Sequence, residues 1–173
     1  IATIANNGLL MKPQVVKEIR SADGTLVREI PPEPVRQVVS QQTARELRLG
    51  MEQVIQEGTG KGAQVEGYRL GGKTGTAQKV IDGRFVSGKY IASFVGFGPV
   101  EDPQVATLIF IDEPQGAYYG GQIAAPVFSA VMTDVLRYLE VPRASLEEKP
   151  DPEDAKTVAS STMTVPDVSS MTS

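Results

Sequence analysis

The sequence predicts an α+β fold in which a partial antiparallel sheet of three strands is flanked by helices. Two observations carry that expectation. Three β-prone runs between residues 70 and 111 are joined by connections too short for a parallel crossover, which needs about a dozen residues. On either side of them, within 40–57 and 126–139, apolar residues recur at helical spacing.

The elements follow in chain order. Residues 1–6 read as the end of a helix, with Asn6-Asn7-Gly8 supplying the left-handed residue that such ends prefer. Val15–Arg20 and Thr25–Ile30 flank Ser21-Ala22-Asp23-Gly24, and Asp-Gly between two β-prone runs signals a hairpin. Pro31, Pro32 and Pro34 then end the ribbon. Ser40 is placed to cap a helix running to about Glu57, with Ala44, Leu47, Met51, Val54 and Ile55 on its apolar face. Gly58, Gly60 and Gly62 stop it and open a loop.

Residues 70–78 read as a short strand and Tyr90–Phe97 as a second, connected through Ile81-Asp82-Gly83-Arg84 and Ser87-Gly88. After a turn at Pro99–Pro103, Val105–Ile111 reads as a third strand. Pro126 sits where a helix would begin, a position that tolerates its missing N–H. Val127, Phe128, Val131, Met132, Val135, Leu136 and Leu139 then share one face that packs on the sheet. From Pro142 the apolar stripe vanishes and Glu147–Asp154 is charged and proline-rich, as in a solvated linker.

Composition narrows the chemistry. The 173 residues carry a net charge of −4 and no basic block, which argues against nucleic acid as a partner. There is no cysteine and no histidine, so disulfides, thiolate chemistry, Ser-His-Asp catalysis and zinc-histidine sites are excluded within the chain. No cofactor is expected. No apolar run approaches the roughly 18 residues of a membrane-spanning helix. The abrupt beginning at Ile1-Ala2-Thr3, already helical in character, leads to the expectation of a fragment whose start lies elsewhere.

Leu70-Gly71-Gly72-Lys73-Thr74-Gly75-Thr76-Ala77-Gln78 is the stretch that bears chemistry. Its small residues let a ligand lie along the strand backbone, and Gly75 removes a side chain from the approach. Lys73 with Thr74 and Thr76 adds one cation and two hydroxyls, suited to pairing with an extended peptide while holding a carboxylate. A phosphate-loop reading competes, because Gly67–Thr74 satisfies GxxxxGK[ST] letter for letter. That reading requires a buried strand before Gly67 and a helix starting at Lys73-Thr74. The polar, glycine-rich 60–66 and the Asp82-Gly83 turn disfavour both.

Lys73-Thr74-Gly75 also resembles the signature triplet of penicillin-binding proteins and serine β-lactamases, which accompanies Ser-x-x-Lys and a Ser-x-Asn type motif. Around it, Ala5-Asn6-Asn7-Gly8-Leu9-Leu10-Met11-Lys12-Pro13 is similar to the helix end that follows the second motif in class B penicillin-binding proteins. The Asp23-Gly24 hairpin, Glu57-Gly58-Thr59-Gly60, Gly72–Gln78, Ala92–Phe97 and the helix near Pro126 occur in that family's order. The resemblance covers about residues 1–140 and implies the C-terminal half of the transpeptidase fold, with 1–141 in that domain. Residues 142–163 are then a linker. Val165-Pro166-Asp167-Val168 resembles the start of a PASTA repeat over 164–173.

By this resemblance the activity is D,D-transpeptidation: a serine attacks a D-Ala-D-Ala stem peptide, expels D-alanine and passes the acyl group to a neighbouring amine. β-Lactams acylate the same serine. Lys73 and Thr76 are the implied catalytic residues, and Lys73, Thr74, Gly75, Thr76, Ala77 and Gln78 the implied substrate strand. Thr74 and Thr76 hydroxyls would meet the substrate carboxylate, and the Thr76 N–H would be one oxyanion donor. Tyr90, Ser93 and Tyr118 read instead as strand or loop packing. Implied partners are peptidoglycan stem peptides, β-lactams, the missing N-terminal half of the domain and other cell-wall synthesis proteins. The implied location is the extracytoplasmic face of the membrane, with the parent protein anchored there.

One departure is large: no Ser-x-x-Lys and no Ser-x-Asn occurs in the chain. The alternatives to a transpeptidase part are a noncatalytic β-lactam- or peptidoglycan-binding homologue and, more remotely, the phosphate-loop protein. As the last part of a larger sheet, Val105–Ile111 is expected to carry an unpaired edge.

Overall fold

The computed structural model describes residues 1–143 of the chain. The expected PASTA-like start and nearly all of the expected linker lie outside them. The centre is an antiparallel sheet in the order β5-β6-β7, formed by Gly71–Ile81, Arg84–Gly98 and Val105–Asp112. Before it come a short helix α1 (Ala2–Ala5) and two small ribbons. In these, β1 (Leu9–Met11) pairs with β4 (Pro34–Gln37), and β2 (Glu18–Arg20) pairs with β3 (Leu26–Glu29). Helix α2 spans Gln41–Gln56, and α3 spans Gly120–Tyr138.

Local chemistry explains most of these boundaries. The α1 exit turns through Asn7 and Gly8, both at positive φ. Ser40 caps α2 by accepting from the Thr43 N–H at 3.1 Å. The β2–β3 turn holds through Asp23, whose carboxylate accepts from the Ser21 hydroxyl and the Thr25 N–H. Those hydrogen bonds lower the Asp23 pKa to about 2.

Four expectations need correction. First, β5 and β6 are longer than 70–78 and 90–97, because Asp82 and Gly83 at φ 50° and 75° make a two-residue hairpin turn. Ser87-Gly88 is a bulge within β6 rather than a connection, in the stretch where the register shifts between Gln78 and Val80. Second, Pro126 is inside α3, which starts six residues earlier at Gly120. The helix forgoes the bond Pro126 would make to the Gln122 carbonyl. Third, Val127 on α3, Leu139 just past its end and Leu47 on α2 are exposed. The buried face of α2 is Ala44, Arg48, Glu52 and Ile55, with two charged residues in it. Fourth, the Val15–Ile30 ribbon ends before Pro31 as expected, but Pro34 begins a further strand, β4, that pairs with β1.

The core lies between one face of the sheet and α3. Phe94, Phe128, Met132 and Leu136 are fully buried there, and the Phe94 and Phe128 rings meet at 4.7 Å. Each such burial contributes about 1.5–3 kcal/mol. A Cβ on Gly96 would press into the Phe128 ring and the Gly71 carbonyl, so glycine sets how closely α3 sits on the sheet. Cross-strand partners share a face, which puts Lys73, Val95 and Leu108 together on the opposite side. As expected, β7 pairs with no strand but β6 among the described residues.

Candidate functional site

β5 is the outer strand of the sheet, with β6 on one side only. In an antiparallel ladder every second residue of such a strand turns its N–H and C=O to the open edge. That edge is where the small-residue stretch lies. Lys73 and Thr74 are strand residues, and no helix starts there, which removes the phosphate-loop reading.

Two loops converge on this edge. The Gly58-Thr59-Gly60 turn leaves the end of α2, and the Thr59 hydroxyl lies 3.0 Å from the Thr74 hydroxyl. The first residue of α3 donates its N–H to the Thr76 hydroxyl, Gly120 N to Thr76 Oγ1 at 3.1 Å. Gly120 must lack a side chain, because a Cβ would overlap the main-chain oxygens of Gly75 and Ser93. Gly75 lies directly over Ser93, whose hydroxyl would meet any added Cβ.

Lys73 extends from the same strand, exposed, with its ammonium 3.1 Å from the Thr74 carbonyl. No carboxylate pairs with it among the described residues, so its charge is open to an anionic ligand. Thr76 and Ala77 are exposed and Thr74 is half-buried. Gln78 is committed elsewhere, donating to the Val86 carbonyl at 3.0 Å across the hairpin. The six predicted residues therefore form one continuous edge, with Gln78 as its structural end. A cleft of about 410 Å³ elsewhere is lined by Ile55, Gln64, Tyr68, Arg69 and Leu70 and by none of these six.

The family model for the penicillin binding protein transpeptidase domain matches residues 1–133. The chain belongs to this family. It is 41% identical over 162 residues to stage V sporulation protein D of Bacillus subtilis, covering 91% of this chain and 25% of that protein. Penicillin-binding protein PbpB of Mycolicibacterium smegmatis is 38% identical, with 87% and 24% covered. The chain thus spans about a quarter of the length of these curated relatives.

Solved transpeptidase structures agree in fold. The apo transpeptidase domain of penicillin-binding protein 3 from Burkholderia pseudomallei superposes with a TM-score of 0.65 at 39% identity, covering 83% of this chain and 41% of that one. Penicillin-binding protein 3 from Mycobacterium tuberculosis complexed with ampicillin gives 0.70 at 30% identity, with 87% and 34% covered. The same protein has been solved with aztreonam, so β-lactam binding is a property of the family.

On the transpeptidase strand, an aromatic group stands beside the predicted residues. Tyr90, opposite Gln78, stacks on Tyr118 with ring centroids 4.2 Å apart, and Tyr118 meets Tyr119 at 4.5 Å. The hydrogen bond to the Tyr119 hydroxyl, with that group's charge, raises the Tyr118 pKa. Tyr119 precedes α3 and is half exposed. Sequence reasoning assigned Tyr90 and Tyr118 to packing and passed over Tyr119. The Tyr118-Tyr119-Gly120-Gly121 run was the available signal, since two glycines permit a helix to begin against a strand. Farther along, Lys79 bridges Asp112 at 3.0 Å and Glu113 at 2.8 Å. Those contacts raise the Lys79 pKa, with the Glu113 bond foremost, and lower that of Glu113.

Proposed function

We propose that this chain forms the carboxylate-binding and oxyanion wall of a serine D,D-transpeptidase that cross-links peptidoglycan. The observation that carries the reading is the open β5 edge, where Lys73, Thr74 and Thr76 combine a cation without a carboxylate partner among the described residues with two positioned hydroxyls. An extended stem peptide would add to this edge through its main chain, with its terminal carboxylate toward Lys73 and the two threonines. Gly75 keeps the strand surface low enough for that approach.

In the reaction, a serine outside this chain attacks the penultimate carbonyl, and its electron pair moves to the carbonyl oxygen. The Thr76 N–H donates to that oxygen as it becomes anionic, a contribution of about 3 kcal/mol for one well-placed donor. D-Alanine leaves with a proton, and the acyl group passes to an amine of a second stem peptide. Lys73 acts by charge, holding the carboxylate and the hydrogen-bond network between this wall and the nucleophile. Ala77 and Gln78 continue the main-chain track. A β-lactam presents its carboxylate and carbonyl in the same relation, so it would acylate the same serine. Because peptidoglycan is the substrate, we place the activity on the extracytoplasmic face of the membrane. Among the described residues no helix is long and apolar enough to cross it.

Labelling with a fluorescent penicillin tests this. The transpeptidase that includes this segment is expected to be labelled at a serine, and Lys73→Ala in it to lose at least tenfold in labelling rate. The 173-residue chain by itself should stay unlabelled. Labelling of the isolated chain, or an unaffected Lys73→Ala, would overturn these roles.

A further inference from the structure

Thr59 lies outside the Lys73–Gln78 strand, in a turn that the site does not otherwise need. Its hydroxyl is 3.0 Å from that of Thr74, fifteen residues on, and either can be the donor. Among the described residues the Thr59 hydroxyl has no other hydrogen-bond partner.

The turn that carries it is held firmly. Gly58 N–H donates to the Gln53 carbonyl at 3.1 Å, and Gly60 N–H to the Val54 carbonyl at 2.9 Å, so Thr59 is fixed to the end of α2. Its own carbonyl packs so closely on Gly121 that a Cβ there would overlap it, and that Cβ would also touch Thr74 Cγ2 at 3.4 Å. Thr59 is thus clamped between α2, α3 and β5.

A hydroxyl has one proton and two lone pairs. A carboxylate only accepts. Thr74 can therefore donate to a bound carboxylate only if its bond with Thr59 runs the other way, Thr59 donating and Thr74 accepting. The same arrangement exists at Thr76, whose hydroxyl accepts from the Gly120 N–H and keeps its proton free. An accepting hydroxyl is also a better donor, since hydrogen bonds in a chain polarise one another.

We propose that Thr59 is a positioning residue for substrate recognition: it donates to Thr74 and so directs the Thr74 proton at the carboxylate end of the peptide or β-lactam. The selected ligand class is an acyl-D-amino acid with a free carboxylate, over its ester or amide. This rests on the carboxylate-binding role proposed for β5.

The test uses the complete transpeptidase and measures acylation by benzylpenicillin and by its methyl ester, separating initial binding from the acylation step. Thr59→Val is expected to slow second-order acylation by the free acid about five- to tenfold, the size of one hydrogen bond between neutral groups. The loss should fall on initial binding, the ester rate should change less than twofold, and Thr59→Ser should restore the parent rate. Thr59→Ala, which adds no bulk, carries the same expectation if the valine variant fails to fold. Equal losses for acid and ester, or a Thr59→Ala enzyme with the parent rate, would overturn the role of Thr59 alone. A parent that neither ligand acylates would overturn the transpeptidase reading and this inference with it.

Discussion

Gly120 joins two structural duties in one residue. Its N–H serves the Thr76 hydroxyl, and its missing side chain lets α3 begin against the main chain of β5 and β6. The atoms an added methyl would meet are backbone oxygens of Gly75 and Ser93, which cannot rotate away as a side chain would. Gly120→Ala should therefore push the start of α3 off the sheet, costing about 1–3 kcal/mol of stability. It should also slow penicillin acylation of the complete transpeptidase, because the Thr76 hydroxyl loses its donor. Gly50 is the matched control: it is exposed on α2 with open space around it, and Gly50→Ala should stabilise by about 0.8–1 kcal/mol. Urea unfolding of both variants decides the matter. A Gly120→Ala chain as stable as the Gly50→Ala chain would show that α3 has room to move.

Helix α2 depends on a charged group that its apolar periodicity does not show. Glu52 is 2% exposed and receives both arms of Arg69, each at 2.7 Å, while Arg69 also reaches Glu101 at 2.6 Å. Removing Arg69 leaves a buried carboxylate with the Gln56 amide, 2.7 Å away, as its remaining side-chain partner among the described residues. Arg69→Ala should lower the unfolding free energy by about 3–5 kcal/mol, read from urea midpoints at constant slope. Arg69→Lys should fall between, since an ammonium cannot match the two-pronged contact. An alanine variant within about 1 kcal/mol of the parent would mean the pair is solvated. This pair also marks the limit of what the sequence could show. Strands, the Asp23-Gly24 hairpin and the Ser40 cap were legible because turn chemistry and capping are local. Leu47 reads as inward and Glu52 does not, because the burial of Glu52 depends on Arg69, seventeen residues away in the loop before β5. The six-residue β5 edge was legible as a motif, whereas Thr59, Gly120 and Tyr119 reach it only through tertiary packing.

At the scale of the molecule, the sheet presents two unlike faces. α3 covers the side that carries Phe94 and Ile109, and the other side carries Lys73, Val95 and Leu108. On that second side Leu108 is 61% and Phe110 58% exposed, and the adjoining edge of β7 has no strand partner among the described residues. An apolar face beside free ladder groups is a template for another strand. In the isolated chain no other strand among the described residues takes that place, and edge-to-edge pairing between copies is the expected result. Sedimentation should show association rising with concentration, and Phe110→Lys should shift it toward monomer by placing a charge beside the edge. The substitution points away from α3, so the circular dichroism spectrum and the unfolding midpoint should hardly move. A parent chain that stays monomeric throughout the concentration series would mean that this face and edge are already covered within one copy.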